Sequence, residues 1–237
     1  MLSLAPSYAA LCVTQAALVA MPVRAQARGR RRDWIGILLP ALTLGIGVTV
    51  LRVVSGGPRA LALLGAIVTP VLAAAGPRRA PVAVALWLVA WLMHGLLAQA
   101  AAVAMIALAA TRIASLVAAL APAWSLEVGL VALVVLDVVL VWGTPQVQPA
   151  STALHGVALP SAAGHPIPAL QDATFGSATM GWLDLVAPAL LSVVARRRLR
   201  AAVVTGLAAG AWGLLLTVTS TIPATVPVLA GLLAARL

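Results

Sequence analysis

Apolar residues run along this chain in long blocks, not in alternation with polar ones, and the blocks approach the length of a membrane crossing. A helix that spans the hydrocarbon core needs about 20 mostly apolar residues, with a range of roughly 17–25. Nine stretches qualify or come close: residues 3–23, 34–54, 60–76, 82–99, 100–120, 126–142, 177–195, 201–219 and 223–236. The fourth and fifth run together, with His94 and Gln99 as the polar marks near their junction. The third and ninth are short and contain or begin at proline, which predicts kinking or partial irregularity. The stretch from 143 to 176 carries Pro145, Pro149, Pro160, Pro166 and Pro168 among Gly, Ser, His and Gln. That composition predicts an irregular or extended loop and no further span. With no repeat or soluble boundary visible, residues 1–237 read as a single membrane domain. Its parts are five helices within 1–125, two more with their outer loop in 126–195, and the last two in 201–237.

Composition strengthens this reading. Of 237 residues, 63% are hydrophobic and 8% are charged, whereas about a quarter are charged in soluble proteins. The expected fold is an all-α polytopic membrane protein embedded in a lipid bilayer. Net charge is +10, and every basic residue is Arg. The arginines sit in short runs between apolar blocks, so they read as topology signals and not as a nucleic-acid surface. With the N-terminus outside, inner connections hold Arg24, Arg28, Arg30 to Arg32, Arg78, Arg79, Arg196 to Arg198, Arg200 and Arg236. Outer connections hold only Arg59, with Arg52 close by, and the 143–176 loop has none. The positive-inside rule then gives N-out, C-in. Arg112, inside the fifth span, fits neither side and is expected to snorkel or pair. The first block has its arginines after it and no positive stretch before it, unlike a secretory signal, so a retained helix is expected. A lone Cys12 excludes an intrachain disulfide framework. Abundant Ala, Arg, Gly and Pro without Lys points to a GC-rich bacterial genome and hence a bacterial plasma membrane.

Candidate chemistry lies in the sixth and seventh blocks, where Asp137 stands in VALVVLDVVLVWGT and Asp184 in MGWLDLVAPALLSVV. An ionisable residue within a span is costly and is by default a functional hypothesis. Asp137 lies five residues before Trp142, and Asp184 seven after Ser177. At 1.5 Å per residue both fall roughly 8–11 Å below the same outer face. Two carboxylates in contact share a proton and titrate as a pair, so one can act as base on water and the other as acid. The same physics serves a proton relay in a transporter, and spacing alone divides the two readings evenly.

The motifs around these acids resemble those of the GxGD-type intramembrane aspartyl proteases, the presenilin and signal peptide peptidase family. Leu136-Asp137 stands where that family has YD on its sixth span, and Gly181-Trp182-Leu183-Asp184 stands where it has GxGD on its seventh. Pro223-Ala224-Thr225 opens the ninth block where the family has PAL. The resemblance implies nine spans and an Asp137–Asp184 catalytic dyad with no cofactor. It further implies that Gly181, Trp182, Leu183 and Leu136 shape the site, while Pro223, Ala224 and Thr225 hold substrate backbone through carbonyls left free at the span start. Three positions depart from the pattern: Leu136 replaces Tyr, Leu183 replaces the second Gly, and Thr225 replaces Leu. A Leu beside the acid narrows the site, which leaves an altered specificity or an inactive relative open. The orientation is more similar to signal peptide peptidase, implying transmembrane or signal-peptide substrates of type II orientation.

Other polar residues read more plainly. Asp172 is expected to be a solvated loop acid, and Glu127 an N-terminal helix acid favoured by the dipole. His94, His155 and His165 share no metal-ligand spacing with Cys or a carboxylate, so no metal is expected. Ser151, Ser161 and Ser177 lack a base in a shared motif, which disfavours a serine protease. A prepilin-peptidase reading expects Lys two residues after the acid, where this chain has Val186.

Overall fold

The computed structural model describes residues 4–23, 32–38, 57–76, 78–143, 154, 157, 159–162, 165–219 and 221–236. Eight α-helices form among them: α1 (Leu4–Ala20), α2 (Gly57–Ala74), α3 (Ala80–Leu92), α4 (Leu96–Leu120), α5 (Ala123–Gly143), α6 (Trp182–Val194), α7 (Arg198–Gly213) and α8 (Val226–Arg236). A 3-10 turn, Leu214–Thr217, extends α7. Residues 33–38 are also helical, and the rest of the expected 34–54 span lies outside the described residues. The protein is thus mostly helical, as expected for a helical membrane protein.

The span count differs from the expectation. Four described helices are long and apolar enough to cross a membrane: α2, α4, α5 and the stretch Arg198–Thr217. The helices α1, α3, α6 and α8 are apolar but shorter, at 10–17 residues. Three of these shortfalls have a local cause. The fourth block stops at Leu92, because Gly95 takes a positive φ of 72° and opens a new helix at Leu96, a conformation that costs other residues a Cβ clash. The seventh block begins as strand and turns helical only at Trp182. The ninth keeps Pro223 to Thr225 outside the helix, with Pro227 at the second helical position, where its missing N–H costs nothing.

The loop before α6 is more ordered than its composition suggests. Ser161–Ala162 (β1) pairs antiparallel with His165–Pro166 (β2), and Asp172–Phe175 (β3) with Ala178–Gly181 (β4). The β3–β4 turn carries Gly176 at φ 61°. Asp172 is not the solvated acid expected, since it is 6% exposed. It sits at the base of this hairpin, where Thr174 Oγ1 donates to its Oδ1 at 3.4 Å. A strand packed on α1 and α4 withdraws the residue that a free loop would leave in water. Pro145, Pro149, Ser151 and His155 lie outside the described residues.

The core draws mainly on α1, α4, α5, α6, α7 and α8. Its fully buried side chains include Leu11, Leu18, Met105, Ile106, Leu185 and Leu191. Small residues set the closest approaches: a Cβ on Gly231 of α8 would collide with Thr205 of α7, and one on Gly213 would collide with the Tyr8 ring. Outward faces stay apolar as well, with Leu199, Val203, Leu207, Leu214 and Val218 all exposed along α7 and its extension. A helix apolar on its outer face is suited to lipid and not to water.

Inter-element polar contacts sort to two ends. At one end the Arg32 N–H donates to the Leu120 carbonyl at 2.8 Å, Arg79 Nη1 donates to Thr111 Oγ1 at 3.0 Å, and Arg236 pairs with Glu127. Glu127 therefore has an ion-pair role across helices in addition to any dipole effect. At the other end the Ser177 N–H donates to Ser7 Oγ at 3.1 Å, and the Gly176 N–H to Gln99 Oε1 at 2.7 Å. Arginine accompanies the first end and the hairpin the second.

Candidate active site

Asp137 is half-buried on α5, six residues before Gly143. Its carboxylate takes two hydrogen bonds from one residue of the ninth block. Thr225 Oγ1 donates to Oδ2 at 2.6 Å, and the Thr225 N–H donates to the same oxygen at 3.3 Å. Thr225 is itself buried, 1% exposed. The helices α5 and α8 are pinned at two levels, by Glu127 to Arg236 and by Asp137 to Thr225. Ten residues separate the pins on α5 and eleven on the other chain segment, about 15–17 Å at helical rise. The two run antiparallel, in register.

Asp184 is the third residue of α6, so its environment is set locally. Its Oδ2 accepts the Gly181 N–H at 2.8 Å, with Gly181 as N-cap. A carboxylate in this position satisfies a donor that the first helical turn leaves orphaned and meets the positive end of the dipole. Gly181 has φ −63° and ψ 154°, an ordinary extended conformation, so its use lies in the close approach. A Cβ there would stand 3.2 Å from Asp184 Oδ2. Asp184 lies within the first turn of a helix that a strand precedes, not seven residues into a span. The two acids nevertheless share a neighbourhood, since Gln15 Nε2 donates to both Asp184 O and Ala224 O, beside the Thr225 that holds Asp137.

The proline-led segment closes the site. Pro223 is buried and Ala224 half-buried. The carbonyls expected to be free for substrate already have partners. Trp212 Nε1 donates to Pro223 O at 3.0 Å, Gln15 Nε2 to Ala224 O at 3.3 Å, and the Val228 N–H to Thr225 O at 3.0 Å. Leu136 and Leu183 are half-buried beside their acids, and Trp182 packs against the core. The Trp212 ring also lies 5.8 Å from that of Trp142.

The sequence reading missed two residues. Trp212 gave no local signal. Gln15 did: it is the one amide in the first apolar block, within LCVTQAALVA. It is fully buried, and its Nε2 donates to Asp184 O at 3.1 Å as well as to Ala224 O. His94 and His165, distant in sequence, have ring centroids 5.8 Å apart.

The chain matches no family model, no curated protein and no solved structure.

Proposed function

We propose that this protein is an intramembrane aspartyl protease of the presenilin and signal peptide peptidase type, with Asp137 and Asp184 as its dyad. The observation that supports this most is the meeting of three segments far apart in sequence. Asp137 and Asp184 come from two apolar helices that one short set of contacts joins, Gln15 to Asp184 O and to Ala224 O, and the PAL-like segment donates to Asp137. A pair of interacting carboxylates in a low-dielectric site favours one shared proton, leaving a base for water and an acid for the departing amine. Gly181, Trp182, Leu183 and Leu136 flank the acids. Pro223, Ala224 and Thr225 wall the site, and Thr225 orients Asp137. A buried dyad of this kind needs no cofactor or metal.

In this reading the apolar blocks make nine crossings with the N-terminus outside and the C-terminus inside, in a bacterial plasma membrane. The Arg-rich end of the structure is the cytoplasmic one, and the hairpin end carries the dyad. Substrates are transmembrane segments or signal-peptide remnants in type II orientation.

One observation favours a second reading, an inactive substrate-binding relative. The Asp184 carboxylate already caps its own helix through Gly181, a structural task that requires no reaction. Cleavage of a type II span peptide by the reconstituted protein separates the two, with a proton-coupled transporter as a further outcome. We expect wild type to cleave and Asp137→Asn and Asp184→Asn to be inactive. Cleavage that survives either substitution sinks the proposal, and pH-driven uptake without cleavage points to transport.

A further inference from the structure

One proline near the site removes a helical backbone donor, and a side chain from elsewhere makes up the loss. Pro188 lies inside α6. A proline at position i cannot bond the carbonyl at i−4, which here belongs to Asp184. That carbonyl instead accepts from Gln15 Nε2 at 3.1 Å.

Gln15 does more than fill one gap. An amide nitrogen has two hydrogens, and the second goes to Ala224 O at 3.3 Å. The carbonyl of Ala224 and the N–H of Thr225 belong to one planar peptide group. Its oxygen is held by Gln15, and its N–H points at Asp137 Oδ2. A single path therefore runs from the Asp184 carbonyl through the Gln15 amide and the Ala224–Thr225 peptide to the Asp137 carboxylate. Hydrogen bonds in such a chain polarise one another. Meanwhile Gln15 Oε1 is buried with no partner among the described residues. A buried amide left half-satisfied is an unfavourable choice for a position that only fills space.

We propose that Gln15 is a positioning residue: it fixes the plane of the Ala224–Thr225 peptide so that Thr225 meets Asp137, and it holds that peptide to the first turn of α6, which carries Asp184. The proposal deepens the aspartyl-protease reading and rests on it only for its kinetic consequence.

The test uses the full chain in lipid nanodiscs, with amide hydrogen exchange resolved at Thr225 and cleavage measured in parallel. In Gln15→Leu, the Thr225 amide should exchange at least about 10-fold faster than in wild type, while amides of residues 130–134 in α5 stay unchanged. The kcat should fall about 10–100-fold with KM within about 2-fold, as expected when positioning and not binding is lost. Gln15→Glu, of the same shape but without the paired donors, should behave alike and serves if the Leu variant does not fold. Pro188→Ala restores the N–H that Asp184 O lacks, so Gln15→Leu should be milder in that background. Unchanged exchange at Thr225, or acceleration spread evenly over α5, α6 and α8, overturns the proposal. Fast Thr225 exchange together with a wild type that cleaves nothing leaves the Gln15 link standing and removes the protease reading.

Discussion

Asp137 and Asp184 are the same residue type in similar apolar surroundings, yet they are held in opposite ways. Asp137 lies well inside α5, where every backbone group around it is engaged in the helix. Its partners come from across the fold, from the hydroxyl and N–H of Thr225, 88 residues away. Asp184 stands in the first turn of α6, where backbone donors are in surplus, and its partner is Gly181, three residues away. One acid is oriented by tertiary structure and the other by local structure. In an asymmetric pair the locally held member keeps its geometry when the surroundings loosen, and the other does not.

That asymmetry can be broken in graded steps. Removing either acid's function should have the largest effect: Asp137→Asn and Asp184→Asn should each lower cleavage by about 10³-fold or more, as loss of an obligatory catalytic group does. Next comes the remote support. Thr225→Val keeps the shape and deletes the 2.6 Å bond to Asp137. A hydrogen bond to a charged group contributes about 1.5–3 kcal/mol, so kcat should fall about 10–100-fold. If Thr225→Val leaves kcat unchanged in the peptide assay, the tertiary support of Asp137 has no catalytic weight. The local support should be harder to disturb. Gly181→Ala retains the N–H and an allowed backbone conformation, and its Cβ needs only a few tenths of an ångström beyond the 3.2 Å available beside Asp184. Its cost should stay below about 1 kcal/mol, so thermal unfolding in detergent should barely move, and activity should drop less than with Thr225→Val. The reverse order of the two variants would show that Asp184 is the more precariously held acid. Smallest of all is the pin at the Arg-rich end. Arg236 is 62% exposed, and an exposed ion pair contributes about 0–1 kcal/mol. Glu127→Gln should therefore shift thermal stability slightly and leave cleavage unaltered.

Much of the architecture is legible because long apolar blocks favour helices, in which backbone groups pair within their own segment. The apolar blocks were expected to be helices, and described helical residues stand in each of the nine. Their ends were less legible. The break at Met93–Gly95, the late start of α6 and the non-helical Pro223–Thr225 depend on a positive φ, a strand pairing and a proline whose effects play out between elements. Asp172 shows the same limit: a loop-like composition concealed the hairpin that buries it.

For the candidate site, sequence alone determined which groups could carry chemistry. Five acids in 237 residues, three of them within apolar blocks and one of those, Glu127, at the very start of its block, leave few choices, since a carboxylate deeper in such a block is costly. The chain's own pattern also placed the proline-led segment last. Only the tertiary structure decided how these parts meet. It set Thr225 on Asp137 and Gln15 between Asp184 and Ala224, pairings that span 88, 169 and 209 residues. Local periodicity records which face of a helix is apolar, but it carries no information on which distant carbonyl a proline has left waiting for a donor.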